Sequence, residues 1–187
     1  MFTNRNSEVY RMKQKSGFTL IELMVVIVII GILVSLGTFA FLSSQKKSRD
    51  ARRKSDLDSV ARALEMYNTD IGSYPAGGTG VDEGTIIGCG DTTKITCAWG
   101  TSFANTTKAI NYMIKLPIEP TEGRRYYYER VGTNGYRLYA RLDNLEDASI
   151  PTTGTKEYGK NCGSSSSSVN CNYVITSSNV VVPTPMP

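Results

Sequence analysis

The sequence from Phe18 to Leu42 reads FTLIELMVVIVIIGILVSLGTFAFL, and this stretch decides the fold. Of its 25 residues 19 are apolar, and Glu22 carries the one charge. As an α-helix it would be about 37 Å long, enough to cross the roughly 30 Å hydrocarbon core of a bilayer. A secretory signal peptide usually has a shorter apolar region and a small-residue cleavage site, and one small core would not surround so long an apolar helix. The stretch therefore predicts a membrane-spanning helix.

The helical pattern continues beyond this stretch. No proline occurs between Phe18 and Tyr74, and Gly72 suits a left-handed C-terminal cap. Apolar residues recur at positions i, i+3, i+4, i+7 and i+10, which is typical of one face of an amphipathic helix. These residues are Leu57, Val60, Ala61, Leu64 and Tyr67. The pattern predicts one continuous helix of about 53 residues, apolar all round over residues 18–42 and amphipathic over residues 43–72.

Beyond Gly72 the composition changes to Gly, Thr, Ser and Asn, with short structured segments between them. Arg125–Arg130 and Tyr136–Leu142 predict two strands of an antiparallel hairpin, because the second alternates with a period of two. A short capped helix is expected between Asn105 and Pro117, and an edge strand at Tyr173–Thr176. The predicted domains are a leader (1–17), the two helix halves (18–42 and 43–72), a globular αβ domain (73–180) that contains the hairpin 125–142, and a disordered tail (181–187).

The charge and histidine content exclude several classes of protein. The chain has no histidine, which excludes Ser-His and Cys-His nucleophilic catalysis, histidine-bearing zinc sites and a histidine pH switch. No nucleophile–base pair is apparent, so we expect that the chain is not an enzyme. Of the net charge of +4, the leader carries +3, through Arg5, Arg11, Lys13 and Lys15 against Glu8. The remaining +1 does not favour nucleic acid as a partner.

The segment Lys15-Ser16-Gly17-Phe18-Thr19-Leu20-Ile21-Glu22 places a lone glutamate near the start of the apolar helix. A charge inside a bilayer costs at least roughly 2–3 kcal/mol, so Glu22 should have a partner. The segment resembles the K-x-G-F-T-L-I-E start of the precursors of type IV pilins and type II secretion pseudopilins. The resemblance is close over residues 13–75 and looser through the hairpin.

The resemblance implies an α+β, pilin-like fold in which the amphipathic half of a long N-terminal helix packs on a small antiparallel sheet. It also implies that a membrane-embedded prepilin peptidase cuts between Gly17 and Phe18 and methylates Phe18, and that Glu22 guides assembly. Many members of the family have a proline in the latter half of the apolar helix, whereas this chain has only Gly31 and Gly37 there. In the family, the helix can melt locally at that proline in the filament. This chain lacks the proline, so the resemblance does not predict local melting here.

The expected function is that of a structural subunit in a type IV pilus-like filament, with the type II secretion (major) pseudopilin as the alternative. A third function is a minor pilin that binds DNA or a surface ligand, because Arg124–Arg130 interleaves cations with aromatic residues as single-strand binders do. A half-buried strand with a solvated face explains the same residues more simply.

The resemblance also implies partners and a location. The partners are the prepilin peptidase, identical or related subunits, the membrane platform and ATPase of the assembly machinery, and the lipid bilayer before assembly. The chain should be a single-pass protein of the inner membrane with its C-terminal domain extracytoplasmic, and then part of a periplasmic or extracellular filament. The positive-inside rule does not decide this orientation, because residues 46–54 carry six basic residues against four in the leader.

Four cysteines, Cys89, Cys97, Cys162 and Cys171, lie beyond the predicted helix. Their spacings fit no usual zinc pattern and no C-x-x-C redox motif. Three pairings are possible, and the local loops 89–97 and 162–171 are preferred, since Ser and Gly fill the second loop. Free thiols would require a reducing compartment. Many type IV pilins have a C-terminal disulfide loop, so the resemblance also favours pairing.

No cofactor is expected, and calcium is the one ion for which candidates exist. Asp143, Glu146 and Asp147 follow the second hairpin strand and could supply oxygen ligands. The resemblance points the same way, because the major pseudopilin binds calcium in a nearby loop. The Asp- and Gly-rich pattern of that loop is missing here, so the sequence predicts no metal site.

Overall fold

The computed structural model describes residues 17–90, 94–106, 108–164 and 168–187, with the side chains of residues 36–40 and 94 left aside. The predicted leader, apart from Gly17, lies outside the described residues. The chain divides into two compact units, Met1–Leu42 and Ser43–Pro187. The described residues form one long α-helix, one short 3-10 helix (Gly80–Asp82) and eight strands, which confirms the predicted α+β class.

The long helix, α1, spans Leu20–Ile71 without interruption, as the sequence predicts. It ends at Gly72, whose φ of 82° lies in the left-handed region. The N–H of Gly72 donates to the carbonyl oxygen of Asn68 at 2.7 Å. Because glycine adopts this conformation without the steric cost that a Cβ brings, Gly72 caps the helix.

Within the second unit, α1 buries one stripe of apolar side chains. Leu57, Val60 and Leu64 are fully buried, so the predicted apolar face is confirmed. Ala61 is only partly buried, and Ala63 lies in the core instead. The buried face is therefore rotated slightly from the one that the spacing predicts.

The first sheet follows the helix and contains five strands. They are β1 (Ala76–Gly77), β2 (Ile86–Gly90), β3 (Lys94–Cys97), β4 (Phe103–Asn105) and β5 (Ile110–Met113). Their order is β1-β2-β4-β5, and β3 pairs with β2 outside that path. The pairings are antiparallel except for β2 with β4, which is parallel where Gly90 faces Asn105.

The short helix expected between Asn105 and Pro117 is wrong, because this segment forms the β4–β5 hairpin. The Asn105 side chain accepts a hydrogen bond from the N–H of Lys108 at 3.1 Å, as a helix N-cap would, but the bond closes a turn. Tyr112 is buried between the exposed Asn111 and the partly buried Met113. Burial of the Tyr112 ring on one face favours the strand over the helix.

The second sheet has three strands in the order β6-β7-β8. These strands are β6 (Tyr127–Val131), β7 (Gly135–Ala140) and β8 (Tyr173–Thr176). The predicted hairpin is confirmed with slightly different bounds, and Tyr127 faces Tyr139 in its register. The predicted edge strand is confirmed as well, since β8 pairs with β7 alone among the described strands.

Both faces of the hairpin are covered, which the alternation in the sequence does not predict. Tyr136 and Leu138 lie in the core that contains the α1 stripe. Tyr139, whose side chain points to the opposite face from that of Leu138, is also buried, in a second cluster with Tyr127 and the cysteines of the 162–171 loop. The hairpin is therefore an inner layer rather than an outer one.

The last residues differ from the predicted disordered tail at 181–187. The N–H of Met186 donates to the carbonyl oxygen of Glu157 at 2.8 Å, and the N–H of Thr155 donates to that of Met186 at 3.0 Å. The tail thus adds backbone hydrogen bonds to the 154–159 loop, which satisfies polar groups that a free end would leave to water.

Candidate functional site

The first turn of α1 holds the glutamate that the sequence singles out. Residues 17–19 are not helical, and Thr19 directly precedes the helix. The Thr19 N–H and hydroxyl both donate to Glu22 Oε2 at 3.0 Å, and the Glu22 N–H lies 3.3 Å from Thr19 Oγ1, to which it donates. This reciprocal pair is a capping box, which satisfies N–H groups that the first turn of a helix leaves without partners.

Thr19 is a site residue that sequence reasoning missed. The sequence predicts only that Glu22 needs a partner, and the partner observed is Thr19, the residue that directly precedes the helix. The Thr-x-x-Glu spacing of residues 19–22 is the sequence pattern of a capping box and would have predicted the contact. Both bonds use Oε2, and Glu22 is exposed and forms no ion pair with any residue that the structure describes.

The apolar side chains of the first unit are exposed. From Leu20 to Val34, the large apolar side chains retain between 49% and 77% of their accessible surface, and Phe18 retains 91%. An apolar surface of this extent on a folded chain is typical of a surface that lipid or another protein covers. Among the residues that the structure describes in full, no helix is long and apolar enough to cross a membrane.

The four cysteines form the two local disulfides that the sequence favours. Cys89 pairs with Cys97 between β2 and β3, and Cys162 pairs with Cys171 beside the second sheet. Cys162 and Cys171 are fully buried against Tyr127 and Tyr139. The second disulfide thus closes a loop and also covers one face of the β6–β7 hairpin.

The second unit has a buried ion cluster centred on Arg53, which retains none of its accessible surface. Its guanidinium donates to four acceptors on α1 and on two later loops. They are Asp50 Oδ1 at 2.6 Å, Asp143 Oδ2 at 3.0 Å, Thr121 Oγ1 at 2.7 Å, and Glu119 Oε1. Removing one partner would leave a buried charge without its counter-ion, which strongly destabilises a protein. The two loops and the helix therefore depend on each other for stability.

The calcium candidate Asp143 belongs to this cluster. Its carboxylate accepts hydrogen bonds from Arg49, Arg53 and Arg124, at 2.6 to 3.0 Å. Burial by itself would raise the pKa of Asp143, but the bonds from Arg124, Arg53 and Arg49 hold it well below its ordinary value. Guanidinium groups therefore occupy the positions around this carboxylate at which a metal ion would have to bind.

The other two calcium candidates do not converge with Asp143. The Lys54 ammonium donates to both oxygens of Asp147, at 2.7 and 2.9 Å, and this bond lowers the pKa of Asp147. Glu146 is exposed. Within the described parts of the chain, no three acidic or cysteine side chains lie close enough together to hold a metal ion.

The basic and aromatic segment 124–130 does not present its rings to solvent. Tyr126, Tyr127 and Tyr128 are buried, with 0%, 4% and 1% of their surface exposed. The Tyr126 hydroxyl donates a hydrogen bond to Asp56 of α1 at 2.7 Å. Burial is the larger cause of the raised pKa of Tyr126, and this bond raises that pKa further. Because bases stack on exposed rings, this strand lacks the platform that a single-strand binder needs.

The N-terminal segment matches a known family model. Residues 12–38 match the model described as the prokaryotic N-terminal methylation motif. These residues include Gly17, Phe18, Thr19 and Glu22, so the match covers both the predicted cleavage position and the capping box.

Similar proteins extend the match into the second unit. The type II secretion system core protein G of Pseudomonas aeruginosa is 33% identical over 129 residues, which cover 68% of this chain and 83% of that protein. Core proteins G of Aeromonas hydrophila and Vibrio cholerae are 41% and 36% identical over 70 and 72 residues, and each alignment spans 49% of the relative. No solved structure matches the chain significantly. The chain belongs to the pilin and pseudopilin family that includes the type II secretion system core protein G.

Proposed function

We propose that this chain is a type II secretion pseudopilin, a structural subunit of a filament that assembles through the N-terminal helix. The observation that carries the proposal is the match to core protein G over most of that relative's length. This replaces the surface pilus as the first interpretation, because the relatives named here are secretion proteins. We also propose that the chain has no enzymatic activity.

Processing removes the leader between Gly17 and Phe18, and Phe18 is then methylated. The family model that covers both residues supports this step. The local structure supports it too, because Gly17 and Phe18 are exposed and precede the helix. A protease needs an extended backbone, so α1 would first have to unfold before a peptide bond inside it could be cut.

Glu22 guides assembly through the oxygen that the capping box leaves open. Thr19 holds Oε2, so Oε1 can accept a hydrogen bond from the new α-amino group of Phe18 on a neighbouring subunit. Such a bond pairs two opposite charges in an apolar setting, where an unpaired carboxylate is costly. The capping box thus holds the Glu22 carboxylate in a fixed position on one subunit and leaves Oε1 available to the next subunit.

The exposed apolar residues of the first unit require a cover at every stage. Before assembly, the bilayer provides it, with residues 18–42 as the anchor and the disulfide-bonded unit outside the cytoplasm. In the filament, the helices of related subunits replace the lipid. The two disulfides support this location, because disulfides persist in oxidising compartments. The partners are then the prepilin peptidase, related pseudopilins, and the platform and ATPase of the machinery.

Mass spectrometry of the mature protein and filament assembly in a secreting host test the proposal. We expect a methylated Phe18 at the N-terminus, and an intact leader would contradict the processing step. Glu22→Ala should reach the membrane in normal amounts but enter filaments at least tenfold less, whereas Glu122→Ala removes an exposed carboxylate elsewhere and should assemble normally. Normal filaments from Glu22→Ala would contradict its role, and long surface filaments would favour the pilus.

A further inference from the structure

The start of α1 in the second unit is unusually basic. Six of the nine residues 46–54 are cationic, and one is acidic. The cationic residues are Lys46, Lys47, Arg49, Arg52, Arg53 and Lys54. In the structure, three of them bond to carboxylates on later loops of the second unit, whereas the other three are exposed. The fold does not explain the exposed group.

Three of the six are neutralised by the second unit itself. Arg53 is fully buried among carboxylates, and Arg49 donates to Asp143 at 3.0 Å. Lys54 donates to Asp147 at 2.7 Å. These three side chains hold loops on the helix, so they are not available to a partner.

The other three face solvent. Lys46 and Lys47 are exposed and form no ion pair with the residues that the structure describes. The Arg52 side chain is 63% exposed and reaches Asp56 at 3.8 Å, an exposed pair that contributes little. Successive helix residues are about 100° apart, so these three cations project in different directions around the helix.

We propose that Lys46 and Lys47 bind the phosphates of anionic phospholipid headgroups while the subunit is stored in the membrane. The inference rests on the proposed function, which places residues 18–42 in the bilayer. Lys46 follows Leu42 by four residues, about 6 Å along a helix, which is headgroup depth. Long cationic side chains at that depth extend to the phosphates and keep their stems on the apolar side.

Charge complementarity favours a lipid surface over a second protein. The acidic residue within 46–54 is Asp50, which is buried and bonded to Arg53, so no exposed carboxylate in this stretch opposes an anionic surface. Cations arranged around the helix suit a surface of many small anions. Each lysine near an anionic bilayer contributes about a fivefold gain in affinity.

The test uses the full chain reconstituted in vesicles of equal phosphatidylglycerol and phosphatidylcholine. The lipids that stay bound after release into detergent are counted by native mass spectrometry. Wild type should retain phosphatidylglycerol preferentially, and the double variant Lys46→Gln, Lys47→Gln should reduce that preference by about 25-fold. The control, Arg62→Gln with Lys156→Gln, removes two exposed cations elsewhere and should keep it. Inorganic phosphate and glycerol phosphate at millimolar concentration should not compete, since the site requires the bilayer.

Each other outcome overturns the inference. Equal retention of the two lipids by wild type, or an equal loss in the control variant, would show that these positions have no special role. Competition by free phosphate would assign the site to a soluble anion, and a loss that follows removal of another pseudopilin would assign it to a protein. Alkaline extraction of the same vesicles separates the levels: a chain that is extracted contradicts the proposed function as well, whereas a chain that stays inserted without lipid preference contradicts this inference alone.

Discussion

The two halves of α1 share one backbone helix and differ in what covers their side chains. In the first unit, large apolar side chains such as Val26 and Leu33 retain 49% and 63% of their surface. In the second, Leu57 and Leu64 retain none. A helix satisfies its own backbone hydrogen bonds, so it extends through both halves. Burial instead depends on what packs against it, and within the described residues the core of the second unit covers the second half.

The charges of the two halves differ in the same way. Glu22 is held by Thr19, three residues away, in a contact that any local helix start could form. Arg53 is held by Glu119 and Asp143, 66 and 90 residues along the chain. The first half is therefore built from local contacts and the second from contacts that form when the domain folds.

Replacing Arg53 should have the largest effect on this contrast. Arg53→Met leaves Asp50, Glu119 and Asp143 buried without their shared cation and should lower the free energy of unfolding by about 3–5 kcal/mol. Urea unfolding of the full chain in detergent measures this through Trp99, which lies against Tyr126. Arg52→Met is the matched control, and its exposed side chain should cost less than about 0.5 kcal/mol. Equal effects from the two variants would contradict the role of the cluster.

Truncating one leucine in each half compares burial directly. Leu64→Ala removes a side chain from the core and should cost about 3 kcal/mol, because a cavity adds to the lost transfer energy. Leu33→Ala should leave the unfolding of the second unit unchanged, since Leu33 is 63% exposed. The same urea experiment measures both, and a loss from Leu33→Ala would mean that the first half stabilises the second.

Acid should destabilise the second unit. Hydrogen bonds from arginine lower the pKa of Asp143 despite its burial, and the bond from Lys54 lowers the pKa of Asp147. A carboxyl whose pKa is lower in the folded than in the unfolded state stabilises the fold above the unfolded pKa of about 4, and this contribution is lost as pH falls. We expect a loss on the order of 2 kcal/mol between pH 7 and pH 2, measured by urea unfolding across that range. Asp143→Asn should flatten the slope, and an unchanged slope would contradict the assignment.

Two glycines of the same helix give the smallest expected effect. Gly72→Ala forces a Cβ into a left-handed conformation and should cost about 1 kcal/mol, although the space around it is open. Gly31→Ala also meets no neighbouring atom but lies within the helix, where alanine is preferred, so helix content in detergent should not fall. Thermal unfolding followed by circular dichroism compares them, and equal losses would mean that Gly72 does not cap the helix.

Local pattern predicted the elements whose cause is local. The long helix, its end at Gly72, the β6–β7 hairpin and both short disulfide loops follow from periodicity, glycine and close cysteine spacing. The segment at Asn105 was predicted wrongly, because one side-chain bond to Lys108 serves a helix cap and a hairpin turn equally well. Burial of Tyr112 decided between them, and that burial is a property of the folded sheet.

The sequence by itself determined that the chain contains a long helix with two chemically different halves and a family motif at its start. An uninterrupted apolar run and a residue spacing are enough for that, because both act within a few turns of backbone. The tertiary structure decided which cations form ion pairs within the protein and which stay exposed. Arg53 and Lys46 are alike in sequence, yet Arg53 is buried by carboxylates that arrive from later loops, and Lys46 stays exposed. Electrostatic pairing depends on distance in space, and only folding brings residues 66 and 90 positions apart within 3 Å of one guanidinium.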